Sequence, residues 1–438
     1  MNKPLNRRPK TSRLVAAACC LIPILGLAAC GGGGGGGNEP GSVELNLVVG
    51  NLLPLDGPSR ALGESGRKAS DLAIEQLEEA IGETGSDHTV RAVSRDQGID
   101  VSASGAAKGL VDEAGSSCLT GPWSADAVAQ TGRDVAIPSE VLEIAPVPTG
   151  EAVSGLNDHD LVNSTALPES VEGSALSQAI ERDLGGAEGR TVNVAASDNS
   201  YGDSLTQDFV EDWQDDDGTV AAQTVLTSPP LSSSSGSQIT SGGPDAILLI
   251  ADLNAFSQLA ATLSASAGWN PATAWGSDQL VSPGLPSLVG AEAIDGMRVL
   301  APGAPSEEPV SSAFAQSFKA GDPRAVKPAP FAAQEFDATV LCYLAAVAAG
   351  STDGQKMADE LIDITAPGGD QFSWQQLPDA IKALEDGQDI DYVGASGPID
   401  MDVGGNPTSG VFDVYRYSGR RLSIVDEVSV EKPNPAAP

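Results

Sequence analysis

Ser204, in Gly202-Asp203-Ser204-Leu205, has the setting that most invites a nucleophilic reading, because this tetrapeptide carries the serine of one class of esterases. That chemistry places the serine after the first strand and takes its base from a histidine in a late Asp-x-x-His. The chain has only His88 and His159, and the residues three before them are Gly85 and Leu156. No Gly-x-Ser-x-Gly elbow offers a second nucleophile, so the residues argue against a serine hydrolase. With the histidines far apart and no cysteine pair at zinc spacing, a metal enzyme lacks its ligands. Asp215-Asp216-Asp217-Gly218 has the composition of a calcium loop, but Trp213 stands where such a loop would start and the closing Glu is missing. It reads as a solvated helix end.

A different chemistry is legible at Cys30, which closes Leu27-Ala28-Ala29-Cys30 after a basic head and an apolar run. Lys3, Arg7, Arg8, Lys10 and Arg13 precede Leu14–Ala29, the anatomy of a secretory signal spanning residues 1–29. The apolar stretch is shorter than a spanning helix needs. Small residues before a cysteine fit the lipobox pattern, in which the thiol receives a diacylglycerol and cleavage leaves Cys30 as the first mature residue. Gly31 to Gly37 follows as an unbroken glycine run, so residues 30–42 are expected to form a flexible tether of roughly 20 Å. Leu341 to Ala349 is apolar but too short to cross a bilayer. The expected address is extracytoplasmic, with a lipid anchor as the one membrane attachment, on the periplasmic face or the outer surface.

About 395 residues remain beyond the tether, enough for two domains with real cores. The formal charge is −36 and becomes −41 when the five cations of the leading segment depart. Such a balance argues against nucleic acid or an anionic lipid surface as a partner. Cys118 and Cys342 are the cysteines left beside Cys30. Two readings stay open for them, a disulfide suited to this compartment or two buried free thiols.

The chain alternates strands and helices. Glu44–Val49 reads as a strand, Asn51–Pro58 as turn chemistry, and Ser65–Ile81 as a helix through Ala69, Leu72, Ala73, Leu77 and Ala80. The unit recurs with strands at 89–93, 118–120 and 141–145 and helices at 106–113 and 125–132. A second series starts near Glu169, with helices at 174–184, 205–213 and 256–267 and strands at 191–196, 220–226 and 246–251. Alternation of this kind predicts an α/β fold of two doubly wound, parallel-sheet lobes. Ligands of such sheets collect at the carboxyl ends of the strands, so the cleft between the lobes is the expected site. Asp252, just past Ile250-Ala251, is placed to face it, and Trp123 is a candidate wall. Pro229–Gly243 and Pro302–Glu308 read as surface loops and 432–438 as a disordered tail.

Asn51-Leu52-Leu53-Pro54-Leu55-Asp56-Gly57-Pro58 with Gly63, Gly66 and the helix after them resembles the opening of the branched-chain amino-acid-binding family of type I periplasmic binding proteins. Thr120-Gly121-Pro122-Trp123-Ser124 is similar to that family's turn into a ligand-facing helix. Ser197-Asp198-Asn199-Ser200-Tyr201-Gly202 is similar to its second-lobe loop, and Tyr392 to Pro407 to its late crossover. The resemblance runs from Val43 to about Leu422. It implies a non-enzymatic protein without cofactor, monomeric, that delivers a small ligand to the permease subunits of an ABC importer. It implies lobe 1 from 43–164 plus 301–391, lobe 2 from 165–300 plus 392–431, and a three-segment hinge.

Carried over by position, the resemblance puts Ser124 and Thr149 where hydroxyls and backbone N–H groups hold an amino-acid carboxylate. Tyr201 would cover the ligand from the second lobe, and Asp278 would receive its ammonium. Ala125 stands where a second Ser is usual, which weakens the carboxylate pocket. The expected ligand is an amino acid or related amide. The rival is a sensory or cell-envelope lipoprotein of the same fold that binds a protein partner, and a filled cleft would favour it.

Overall fold

The computed structural model describes residues 43–98, 103–227, 233–320 and 328–431. The signal segment 1–29, Cys30, the tether to residue 42 and the tail 432–438 lie outside the described residues.

The first sheet is wholly parallel, in the order β2-β1-β3-β4-β5. Its strands are β1 (Leu45–Leu53), β2 (His88–Asp96), β3 (Cys118–Thr120), β4 (Leu142–Ala145) and β5 (Val162–Ser164). β3 and β4 are buried along their whole length, as a parallel sheet covered on both faces requires. The helix Arg60–Thr84 lays Ala69, Ala73, Leu77 and Ala80 against the sheet, one apolar residue per turn. Gly85, at φ 73°, ends it by returning its N–H to the Ile81 carbonyl.

Against the same core lies the helix Ala332–Ala349, buried on nearly every side. This is the apolar run at 341–349, and its hydrophobicity answers to a protein interior. Cys118 and Cys342 form a disulfide with Cα atoms 5.9 Å apart, tying β3 to this helix across 224 residues. Of the two readings open in the sequence, the bonded one holds. Among the described residues no helix is long and apolar enough to cross a membrane.

The second sheet joins β6 (Thr191–Ser197), β7 (Thr219–Leu226), β8 (Ala246–Ile250), β9 (Ala274–Gly276) and β10 (Arg298–Pro302) in parallel. After a small sheet of β11 (Asp370–Ser373), β12 (Ile390–Gly394) and β13 (Gly397–Pro398), the chain returns as β14 (Ser409–Ser418) and β15 (Arg421–Glu431). The order is β15-β14-β10-β9-β8-β6-β7, and β14 runs antiparallel to both its neighbours. The doubly wound α/β architecture is therefore as expected, with an antiparallel hairpin added at one edge.

Two local expectations differ from the structure. Residues 229–243, read as loop, contain the helix Ser233–Ile239. Its serines hid the pattern, but Ile239 is fully buried and Gly236 lies so close to the neighbouring helix that an added Cβ would sit 2.7 Å from the Thr262 carbonyl oxygen. The return to the second sheet also comes later than residue 392. Tyr392, Ala395, Ile399 and Met401 are buried with the first-lobe core. Asp337, on the long buried helix, holds them there: its carboxylate accepts from Tyr392 Oη at 3.0 Å, Ala395 N at 2.7 Å, Ser396 N at 2.8 Å and Ser396 Oγ at 2.6 Å.

Candidate ligand-binding cleft

A cavity of ≈190 Å³ opens where the carboxyl ends of the two parallel sheets face each other. From the first sheet it is lined by Pro54 and Asp56 after β1, Asp96 and Gln97 at the end of β2, Trp123, Ser124 and Ala125 after β3, and Val147 and Pro148 after β4. From the second come Tyr201 after β6, Asp252 to Asn254 after β8, and Asp278, Gln279 and Val281 after β9. Glu169, which opens the helix Glu169–Leu184, and Phe331 complete the wall. Strand ends in both lobes thus converge on one hollow, as open α/β sheets dictate. Beside the cavity, the buried Ser282 hydroxyl donates to the carbonyl of the lining residue Pro58 at 3.4 Å.

The first-lobe wall is held from behind. The Trp123 backbone N–H donates to Gln97 Oε1 at 2.8 Å, and its indole N–H donates to Glu335 Oε2 at 3.2 Å. Trp123 meets Phe331 edge to face with ring centroids 5.9 Å apart. Gly66 makes room for the indole, since a Cβ there would lie 2.3 Å from the Trp123 ring. Burial pushes the Glu335 carboxyl up to about 8, against the pull of its bonds to Thr120 and Trp123. Thr120 Oγ lies 2.6 Å from Glu335 Oε1 and 3.0 Å from Asn51 Oδ1. A hydroxyl has one proton to give, so a neutral Glu335 that donates to Thr120 satisfies both contacts.

The second-lobe wall is acidic and buried. Asn199 caps the helix Ser200–Asp215 by accepting from Gly202 N at 2.9 Å, which sets Tyr201 in the first turn. Gly202 is required there, because a Cβ would sit 2.0 Å from the Ser197 carbonyl oxygen. The Tyr201 hydroxyl donates to Asp278 Oδ1 at 2.6 Å, and the Asp278 backbone N–H donates to Glu172 Oε1 at 2.9 Å. Glu169 lies one turn before Glu172, and Glu169 Oε1 and Glu172 Oε2 have no hydrogen-bond partner. Burial, then the charges of Asp278, Asp126 and Asp208, pushes Glu169 up to about 8. Burial pushes Asp278 up to about 6, with Tyr201 pulling the other way. Glu172 is raised by burial and by Asp278.

Of the residues singled out from sequence, Trp123, Ser124, Tyr201, Asp252 and Asp278 come together around this cavity. Ser124 is the N-cap of the helix Ala125–Thr131, yet its side chain makes no capping bond there. Asp252 caps the helix Leu253–Ser264, accepting from Ala255 N at 2.8 Å. Thr149 is elsewhere: it is not among the lining residues, and its hydroxyl donates to Asn406 Oδ1 at 2.7 Å on the third crossover. The late crossover claims the hydroxyl that the resemblance assigned to a ligand. Glu169, Phe331 and the supporting Glu172 and Glu335 were missed. Glu169 and Glu172 did leave a signal, since they fall on the same face as Leu176 and Ile180, the buried face of their helix.

The chain belongs to the periplasmic binding protein family, whose model matches residues 46–410. Its members are binding proteins that work outside the cytoplasm. No curated protein matches this chain. Among solved structures it is similar to the leucine-binding protein LivK of Thermotoga maritima, with 19% identity over 88% of this chain and 99% of that one, at a TM-score of 0.67. It is also similar to LivJ of Streptococcus pneumoniae in complex with isoleucine, with 16% identity over 88% and 100% of the two chains and a TM-score of 0.67. A solute-binding protein of R. palustris in complex with 4-hydroxybenzoate matches at 15% identity over 89% and 98%, with a TM-score of 0.65. At these identities the likeness establishes the type I fold.

Proposed function

We propose that this protein, anchored through a lipid on Cys30, captures a small nitrogen-bearing solute, an amino acid or related amide, in its inter-lobe cleft. It presents the closed form, as a monomer, to the permease of an ABC importer. The observation that carries this reading is the open cavity between facing strand ends, with Tyr201 and Asp278 on one wall and Trp123 on the other. A ligand that touches both walls only when the lobes are shut favours the closed state by its differential affinity. Ala125, which brings no hydroxyl to the cavity, is the point in favour of a protein-binding lipoprotein. The unfilled cleft weighs against that reading.

The test is thermal unfolding of the purified protein against amino acids, amides and small carboxylates, with Asp278→Ala alongside. A ligand at 100 times its Kd adds about 2.7 kcal/mol of stability. An amine-bearing hit that Asp278→Ala abolishes supports the proposal. Silence across the panel transfers support to the protein-partner reading.

A further inference from the structure

The described residues lining the cavity include five carboxylates, those of Asp56, Asp96, Glu169, Asp252 and Asp278, and no Lys, Arg or His. Four of these carboxylates already serve the protein, Asp278 by accepting from the Tyr201 hydroxyl. Asp56 accepts from Gly57 N, Asp96 from Leu55 N, and Asp252 from Ala255 N. Glu169 differs. Its side chain lines the cavity, the residue is 3% exposed, and its Oε1 has no partner. A buried carboxylate without a donor is costly unless something supplies the missing positive charge or proton. Trp123 and Phe331 line the same cavity, and aromatic rings attract cations as well as apolar groups.

We infer that the solute is an organic cation without a free carboxylate, an amine, amidine or quaternary ammonium, whose charged nitrogen is held by Glu169 and Asp278 while its apolar body lies against Trp123 and Phe331. This rests on the solute-binding reading above and changes its ligand class, keeping the amine and dropping the amino-acid carboxylate. A zwitterionic amino acid would bring its own carboxylate into a wall of like charges with no lining base to receive it. On the first-lobe wall Ser124 brings a hydroxyl at the start of a short helix, and Ala125 beside it brings none.

Before the ligand arrives, a proton fills the role of the missing charge. Acids face Glu169 from every side: Glu172 on its own helix, Asp126 from the first lobe, Asp208 from the adjacent helix and Asp278 from the loop after β9. Together with burial they hold Glu169 protonated to about pH 8. A bound cation must therefore displace that proton, and binding strengthens as pH rises through this range.

Isothermal titration calorimetry at pH 7, in two buffers of different ionisation enthalpy, tests this. The probes are three matched series: primary amines and diamines, the amides of the common amino acids, and the parent amino acids. The expected result is binding of cationic members at least tenfold tighter than the parent acids, with net proton release that disappears in Glu169→Gln. That variant keeps the side chain's shape and is expected to weaken cations about tenfold or more, the worth of one charge-assisted bond. Tighter binding of the zwitterions, or cation binding with no proton release and no loss in Glu169→Gln, overturns the cation assignment while leaving solute binding intact. No binding by any series overturns both. Circular dichroism of Glu169→Gln identifies a variant that has failed to fold, and in that case the proton count on the unaltered protein decides.

Discussion

The hydroxyl of Tyr201 donates to Asp278 Oδ1 at 2.6 Å, joining the first turn of one helix to a loop 77 residues further along the chain. Both groups line the cavity, so a contact that stabilises the second lobe also sets the shape and charge of its binding wall. Removing the hydroxyl leaves the Asp278 carboxylate with only the Gln279 backbone N–H as donor and raises its pKa further above about 6. Tyr201→Phe is expected to weaken ligand binding by about tenfold, in line with roughly 1.5 kcal/mol or more for a hydrogen bond to a charged group. Calorimetric titration of the two proteins side by side checks it.

Stability should fall as the solution becomes alkaline, the reverse of a protein held by paired carboxylates. Glu169 and Glu335 titrate near 8 and Asp278 and Asp337 near 6, all raised above their ordinary values chiefly by burial. A folded state that binds protons more tightly than the unfolded one is most stable below the unfolded pKa, about 4 for these groups. It loses that advantage as pH climbs toward 6 and then 8. The unliganded protein should therefore melt several degrees higher at pH 5 than at pH 8.5. Glu335→Gln, which keeps an acceptor for the Trp123 indole without a titrating group, should flatten that slope. A melting temperature that rises from pH 5 to 8.5 would refute the assignment of these buried acids.

The bond between Cys118 and Cys342 lies in the first-lobe core and joins residues 224 apart, so the loop it closes contains β6 to β10 of the second sheet. Its removal by Cys118→Ala with Cys342→Ala is expected to cost about 2–4 kcal/mol, chiefly through a less restricted unfolded chain. Neither cysteine lines the cavity, so ligand affinity should stay within about twofold. Denaturant titration measures the first quantity and calorimetry the second.

Much of this organisation was legible in the chain. β3 falls at Cys118–Thr120 as read, because a short apolar strand between a helix end and a Gly-Pro turn has little freedom of register. Tyr201 and Asp278 were placed by the resemblance, Tyr201 through a loop whose backbone leaves no room for a side chain at Gly202. Glu169 and Glu172 were not, because acids in a helix's first turn are ordinary on any surface helix, where the dipole favours them. Their burial comes from the packing of their helix against Ser200–Asp215 and the segment at Asp278, long-range contacts that periodicity does not report. Thr149 misled for the same reason: its hydroxyl is taken by Asn406, 257 residues away. The late crossover was placed too early because Tyr392 and Ala395 answer to Asp337 on a helix more than fifty residues before them.

The claim that the two walls close on a solute is tested most directly by solution X-ray scattering of the protein with and without a saturating hit from the ligand panel. The account predicts a smaller radius of gyration with ligand, at one molecule per chain, and no such change for Asp278→Ala at the same ligand concentration. Scattering that is unchanged at proven saturation, or an equal contraction in Asp278→Ala, would contradict it.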